Sequence, residues 1–491
     1  MSALLNGLSD ILKKNKGLVK KHGFAKLVIE RSQHNISRQN ISKNALNTLY
    51  RLRQGGYQAY LVGGCIRDML LGKVPKDFDI STNATPEQVH RLFRNSRIIG
   101  RRFKIVHVVF GQEIIEVTTF RSAVNGNLGR NQIQNDDGML IRDNSYGKTL
   151  EEDATRRDFT INAIYYDISN FTLIDFHGGL YDLNHGIIDI IGDPHTRYQE
   201  DPVRMIRAVR FSAKLGFKIS KRTADPIKTH SALLLNVSNA RMFDEVNKLF
   251  LTGHGLQSFH KLRDFGLFNL LFPGLDGFIE NKDYQAFVEY SLASSDQRFA
   301  QQKRNMPHFL YTIMFLGKFR SQMIKHYELN ESRIHQVADD VIADEICQEI
   351  LAEQNAVTAL PWQVSADIRK LLKSQNELLN IHDPNAVAAM ADSNILRASF
   401  DIFKLRGKFE PYLSPYIRFW QPYYDRSSQR AEQRRALLNK KEEQNFTNAK
   451  SKQKKNKPAE KNGGYKREKA TSRAERLAKA RAWRAAMHLD P

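Results

Sequence analysis

Two glycines and two aspartates set close together are the residues of this sequence best suited to chemistry. In LVGGCIRDMLLGKVPKDFDI, Leu61 to Ile80, Gly63 and Gly64 follow a short apolar run, and Asp77 and Asp79 frame Phe78. A glycine pair at a strand end lets the backbone turn and leaves amide N–H groups uncovered. With a helix starting at the same point, that suits an anionic triphosphate. In an extended strand residues two apart share a face, so Asp77 and Asp79 project together while Phe78 and Ile80 face a core. Carboxylates so placed repel each other unless they share divalent cations. Mg²⁺ held by oxygen ligands beside a phosphate is the expected tenant, with Mn²⁺ as the alternative. A P-loop is excluded, because Gly64 and Gly72 stand eight apart and Lys73 precedes Val74 where that loop requires G-x-x-x-x-G-K-[ST].

The elements that must position these groups are legible nearby. Tyr57 to Val62 read as a strand, and a helix over roughly Ile66 to Leu71 stops at Gly72. Upstream, Ser42 caps a helix that reaches Gln54 on an apolar stripe of Ala45, Leu49 and Leu52. Downstream, Thr85-Pro86-Glu87-Gln88 opens another helix with a capping box. Glu113 to Arg121 alternate as a strand that sets Glu116 on the face opposite Ile115 and Val117. Residues 122 to 148, rich in Asn, Gly and Asp, read as a mobile loop near the site. In Glu151 to Asp167, Arg156 and Arg157 can neutralise phosphates. Asp158 and Asn162, four apart on an expected helix, could hold ribose hydroxyls.

Composition narrows the class. At 491 residues the chain can hold two to four domains, and no apolar run approaches the ~20 residues of a membrane span. The N-terminal stretch makes a poor signal peptide, and Cys65 and Cys347 lie too far apart in sequence for a metal motif, so a reducing cytoplasm is expected. The net charge is +22. From Arg426 to Pro491, 20 Lys/Arg against 7 Asp/Glu supply +13 of it. That excess points to a polyanion, with nucleic acid ahead of a membrane surface.

The motif G-G-x-[IV]-R-D-x-L-L-G followed by D-F-D resembles the signature of the polymerase-beta-like nucleotidyltransferase superfamily. It resembles in particular the bacterial poly(A) polymerase and class II CCA-adding group. R-R-D-F-T-x-N at Arg156 to Asn162 is similar to the group's second motif, and Glu200-Asp201-Pro202-Val203-Arg204 to its E-D-x-x-R motif. The resemblance runs from about Asn35 to Phe250. It implies an α+β chain, with a nucleotidyltransferase head on a mixed sheet, all-α neck and body domains and a disordered basic tail. The expected boundaries are a basic extension at 1–40, the head at 41–185, the neck at 186–265, an RNA-binding body at 266–425 and the tail at 426–491. The resemblance assigns Gly63, Gly64 and Arg67 to the triphosphate and Asp77 and Asp79 to two metal ions. Glu116 or Asp158 would be the third carboxylate, and Arg156, Arg157, Asp158 and Asn162 would position phosphate and sugar. Asp175 to Pro194 are similar to the strand pair and hinge that join head to neck.

The base would be read without a template. Asp201 accepts hydrogen bonds and Arg204 donates them, a pattern that adenine and cytosine satisfy and guanine and uracil reverse. The choice between A and C then falls to pocket size and to how rigidly Arg204 is held, for which a second neck helix with an Arg241–Glu245 pair is a candidate. GRRFKIVHV, Gly100 to Val108, matches the signature of bacterial poly(A) polymerases, whereas CCA-adding relatives carry a G-x-x-H-G-T type sequence there. Arg101, Arg102 and Lys104 would add positive charge along the RNA path, and Phe103 could stack on a base.

The expected activity is template-independent transfer of AMP from ATP to RNA 3′ ends with loss of pyrophosphate. A CCA-adding enzyme and a catalytically inactive RNA-binding protein are the alternatives. The tail would track RNA and could dock RNA-decay or RNA-chaperone proteins, with a basic amphipathic helix expected over Thr471 to Leu489. Deleting residues 426 to 491 should weaken RNA binding and flatten its salt dependence while nucleotide binding persists, as a titration across ionic strengths would read; an unchanged salt slope would remove the tail from the RNA path.

Overall fold

Local signals end the elements that carry the site, and one mixed sheet brings them together. The computed structural model describes residues 26–100, 103–122, 132–134, 139–143, 145–330 and 339–455. β1 (Leu27–Ile29) precedes α1 (Lys43–Gln54), whose cap Ser42 accepts from the Ala45 amide and whose Ala45, Leu49 and Leu52 are buried. β2 (Ala59–Val62) runs into α2 (Gly64–Leu70). β3 (Asp79–Thr82) runs into α3 (Pro86–Leu92), which carries the full capping box of Thr85 and Gln88. β4 (Ser96–Ile99), β5 (Ile105–Phe110) and β6 (Glu113–Thr119) follow, then β7 (Gln132–Gln134), β8 (Leu140–Asp143), α4 (Leu150–Arg156), β9 (Ile164–Asp167) and β10 (Thr172–Asp175).

Eight strands form one sheet in the order β1-β10-β9-β2-β3-β6-β5-β4. Every neighbouring pair is antiparallel except β3 with β6, which run parallel with Asp79 opposite Glu116. Phe78, Ile80, Ile115 and Val117 are buried in the main core on the face away from those acids. The alternation of β3 and β6 therefore sorts apolar from acidic side chains, as the period of two requires.

Three local expectations need correction. Residues 122 to 148 contain a short antiparallel pair, β7 with β8, too brief for its periodicity to be read; residues 123–131, 135–138 and 144 lie outside the described residues. The helix expected to carry both Asp158 and Asn162 stops at Arg156. Arg157 is extended and Thr160–Asn162 form a single 3₁₀ turn. The strand pair expected over 175 to 194 is β10 followed by a helix, α5 (Gly179–His185), and a two-residue strand, β11 (Ile187–Ile188).

The rest is almost all helical. α6 (Pro194–Glu200), α7 (Val203–Leu215), β12 (Lys218–Ile219), α8 (Lys221–His230), α9 (Asn239–Phe250) and α10 (Gly255–Asp264) come next. They are followed by α11 (Phe268–Leu271), α12 (Asp276–Ile279), α13 (Lys282–Ala300), α14 (Pro307–Asn330) and α15 (Asp339–Asn355). The series ends with α16 (Trp362–Glu377), α17 (Pro384–Asp392), α18 (Leu396–Arg406) and α19 (Ser414–Lys455). α13 is tied to the parts before it. Asp296 accepts from the amides of Gly255 (2.7 Å) and Leu256 (3.0 Å), and Lys76, next to Asp77, sits over the Phe299 ring at 4.8 Å. Trp420 is fully buried and donates to the Leu378 carbonyl.

The chain divides into two compact units, residues 1–424 and 425–491. The second, expected as a disordered tail, is helical to Lys455; the helix expected over Thr471 to Leu489 lies outside the described residues. Among the described residues no helix is long and apolar enough to cross a membrane.

Candidate active site

Asp79 stands where three constraints meet. On one side it pairs with Val62, the last residue of β2 before the glycine turn, and on the other with Glu116 of β6. Asp77 is exposed at the mouth of the same strand. Burial pushes the Asp79 carboxyl up to about 6, Glu116 and Asp77 add to the rise, and Arg157 and Arg207 oppose it. Glu116 also faces His107 across β5, with Oε1 3.3 Å from Nε2. Among the described residues no three His, Cys, Asp or Glu side chains are gathered to hold a metal by themselves. The hard oxygens of Asp77 and Asp79 nonetheless fit a divalent ion whose remaining ligands are substrate phosphates and water, the usual way Mg²⁺ is held.

The glycine turn is shaped by the same carboxylate. Gly63 has φ +83°, and a Cβ built on it would stand 3.3 Å from Asp79 Oδ2, so any side chain there is both strained and crowded. Cys65 lies behind the turn, its thiol pushed up to about 12 by burial and by Asp79, which leaves it inert. Arg67, 2% exposed, folds back beside Gly64. It donates to Asn162 Oδ1 (2.7 Å) and to Asp68 Oδ1, and its guanidinium covers the Phe211 ring of α7.

Sequence reasoning overlooked the residue that fixes Arg157. Asp153 is buried, and its Oδ2 accepts from Ser81 (2.8 Å), from the Tyr165 hydroxyl (2.8 Å) and from Arg157 (3.2 Å). Tyr165 in turn accepts from Arg157 Nε at 2.8 Å. Burial disfavours the charge on Arg157, but Tyr165, Asp153 and Asp79 outweigh it and keep the guanidinium protonated. Arg157 is thereby held next to Asp79. The i,i+4 spacing of Asp153 and Arg157 was the available signal.

Asp158 and Asn162 do meet, through a turn in place of the expected helix. Asp158 Oδ1 accepts from the Phe159 amide (2.8 Å) and Asn162 (3.2 Å), while Oδ2 accepts from Arg207 of α7 through Nε at 2.8 Å and through Nη2. Arg207 is the second residue that sequence reasoning overlooked, one turn beyond Arg204. Burial would raise the Asp158 carboxyl, but Arg207 and these hydrogen bonds hold it at about 2.

Arg156 turns toward Glu200 of α6. It is 9% exposed and its Nη1 stands 3.7 Å from Glu200, onto which Arg197 (2.6 Å) and Arg204 (3.0 Å) also converge. Arg197 Nη2 caps α4 by donating to the carbonyls of residues 156 and 157, both at 2.8 Å. Asp201 and Arg204 do not share a helix face, because Asp201 ends α6 in an extended conformation and α7 starts at Val203. Arg204 Nη1 donates to the Arg197 carbonyl, and Arg241 holds Asp201 with two bonds of 2.7 and 2.9 Å. The expected Arg241–Glu245 pair is absent: Glu245 is engaged by Arg210 (3.5 Å) and Lys248 (3.0 Å), because the fork of Arg241 reaches across to Asp201. Arg101 and Arg102 lie outside the described residues. Lys104 is half-buried and pairs with Glu87 (3.2 Å), and the Phe103 ring lies under Arg121 at 4.2 Å.

Asp158 gives a signed pH test. A carboxyl held below its ordinary 3.8 stabilises the fold above that value and loses the contribution as the pH falls from about 4 to about 2. The shift amounts to roughly 2 kcal/mol. Asp158→Asn should therefore lower the Tm at neutral pH, and the gap to the unsubstituted protein should close as the pH falls through that window; a constant gap would refute the assignment.

The Poly A polymerase head domain family matches residues 59–189, a family described as the probable RNA and SrmB-binding site of polymerase A matches 216–279, and the polymerase A arginine-rich C-terminus family matches 342–461. Poly(A) polymerase I of Salmonella typhi is 43% identical over 391 residues, covering 78% of this chain and 82% of that protein. A CCA-adding enzyme of Bacillus pumilus is 36% identical over 249 residues, 51% of this chain and 60% of that one. Among solved structures, the Bacillus stearothermophilus CCA-adding enzyme in complex with CTP superposes with a TM-score of 0.52 at 27% identity, over 78% of this chain and 81% of that chain. High identity therefore continues well past the sheet and the first helices in the polymerase comparison, and the chain belongs to the bacterial poly(A) polymerase I family.

Proposed function

We propose that this protein is a template-independent polynucleotide adenylyltransferase that adds AMP from ATP to RNA 3′ ends. The observation that carries the reading is Asp79 set against Glu116 on paired strands, beside a glycine turn where a side chain would be strained and crowded, and under an arginine anchored by Asp153. Membership of the poly(A) polymerase I family supports the choice of reaction. The net charge of +22 supports a polyanionic acceptor.

The 3′-hydroxyl oxygen attacks the α-phosphorus in line, the bond to the β-phosphate oxygen breaks, and pyrophosphate leaves. Asp77 and Asp79 are the residues that would hold divalent ions, Mg²⁺ with Mn²⁺ as substitute; when bound, such ions neutralise phosphoryl charge and lower the pKa of the attacking hydroxyl. Gly63 and Gly64 let the backbone approach the phosphates, Arg157 faces them with fixed positive charge, and Arg67, held beside Gly64 by Asn162 and Asp68, adds positive charge behind the turn. Glu116 is the better acceptor for the hydroxyl proton. Asp158, held at about 2 and committed to Arg207, is a poor base. It positions sugar together with Asn162. Asp201 and Arg204 read the adenine edge, and Arg241 fixes Asp201. A cytoplasmic location agrees with two buried, free cysteines. RNA-decay or RNA-chaperone proteins are the protein partners we assign to residues 426–491.

Primer extension with each nucleotide separately, on a generic oligonucleotide and on a tRNA lacking its CCA end, tests the reaction. A long ladder with ATP on the generic RNA is expected. Two C additions and then one A on the tRNA alone would instead make the protein a CCA-adding enzyme, the reading that the Bacillus relatives keep in play. Asp79→Asn should cut kcat about 100-fold or more with RNA binding retained. Arg241→Lys should lose the two-pronged grip on Asp201 and raise CTP use relative to ATP about tenfold; an unchanged ratio would detach Arg241 from base choice.

A further inference from the structure

α13, α14 and α18 enclose a cavity of about 490 Å³ that none of the proposed chemistry uses. Arg298, Arg304, Arg397, Lys404 and Lys408 line it, against a single lining acid, Asp401. Lys404 is paired with that acid at 3.2 Å. Arg298, Arg304, Arg397 and Lys408 are exposed, and among the described residues none has a carboxylate within ion-pair distance. Isolated surface cations are ordinarily just solvated. Here four of them, from two stretches of chain, 298–304 and 397–408, converge on one concavity, where low-dielectric walls focus their field. Tyr290 adds a ring that is 43% exposed at the same wall. Guanidinium groups with an aromatic face are the usual furniture of a single-stranded nucleic acid path.

The position of the cavity selects its occupant. α13 turns two stripes in different directions. Tyr290, Ser294 and Arg298 line the cavity, whereas Asp296 caps α10 and Phe299 lies under Lys76, one residue before Asp77. The helix that carries Arg298 therefore touches the loop leading into the carboxylate strand. The cavity thus sits on an element that packs directly against the entry to the carboxylate strand.

We propose that this cavity is a second RNA subsite, binding backbone phosphates upstream of the reacting 3′ end. The proposal rests on the polynucleotide reading above and names where the acceptor strand is gripped. It gives long acceptors an affinity that short ones lack.

The test compares the full chain with Arg298→Gln/Arg304→Gln/Arg397→Gln, using oligoadenylates of about 20 and about four nucleotides. For the long RNA, the variant's Kd and KM should rise about tenfold or more, and its log Kd against log salt slope should fall by about 2, at ~0.7 per lost phosphate contact. For the short RNA, KM and kcat should stay within twofold. The triple Arg→Lys variant should keep most of the long-RNA affinity, which separates lost charge from lost fold. Unchanged binding of the long RNA would overturn the subsite and leave the cavity to an acidic protein or to solvent. Equal losses on both RNAs would also overturn it. Binding is read without catalysis, so a protein that binds both RNAs but adds no AMP defeats the polymerase reading while the comparison still decides the cavity.

Discussion

The parallel pairing of β3 with β6 sets two carboxylates side by side, and most of the surrounding structure answers that one liability. Neighbouring strands lie about 5 Å apart, and two unit charges at that separation repel by ~3 kcal/mol at an effective dielectric of about 20. Apolar burial on the opposite face, by Phe78, Ile80, Ile115 and Val117, fixes the register and prevents either acid from turning away. The repulsion is met by placing one cation, Arg157, beside Asp79 and anchoring that cation elsewhere. Asp153, Tyr165 and Ser81 form the anchor. Burial and then Glu116 raise the Asp79 carboxyl, and Arg157, shared with its own buried acid, only partly offsets them, so the aspartate remains a strong site for added positive charge.

The site is built jointly from the sheet and the helices that follow it. Arg207 reaches from α7 to Asp158, Asp158 holds Asn162, and Asn162 holds Arg67 at the glycine turn. Arg197 closes the end of α4 directly before Arg157. Each link is charge-assisted and largely buried, so loss of either partner strands a polar group away from water. Movement of α6 and α7 would therefore be felt at Arg157 and Arg67.

Where short-range pattern decides a structure, the sequence was informative. The Ser42 cap, the Thr85 capping box and the alternation around Asp79 and Glu116 are local and appear as expected. The failures came where a distant partner decides. Arg156 and Arg157 are adjacent and chemically identical in sequence, yet one turns to Glu200 and the other to Asp153. The helix through Asp158 broke because Arg197 takes its terminal carbonyls and Arg207 takes the aspartate, bonds over some forty residues or more that no window of periodicity contains. Arg241 was singled out as a rigidifying residue but given the wrong acid, since an i,i+4 neighbour is visible in a sequence and a bidentate partner 40 positions away is not.

That last pairing bears on how one nucleotide could be preferred over another of similar edge. Adenine and cytosine offer the same donor and acceptor order, so a reading pair that can shift between them must move to follow the smaller ring. Asp201 is gripped by both prongs of Arg241, and Arg204 is tethered to the Arg197 carbonyl and to Glu200. Glu200 also gathers Arg156 and Arg197, so the tether of Arg204 is continuous with the buried network at the end of α4. Moving either of these proposed readers means breaking charge-assisted bonds in a buried or part-buried setting. A pocket fixed in this way suits repeated addition of one base, whereas a sequence of different bases would require it to rearrange between steps.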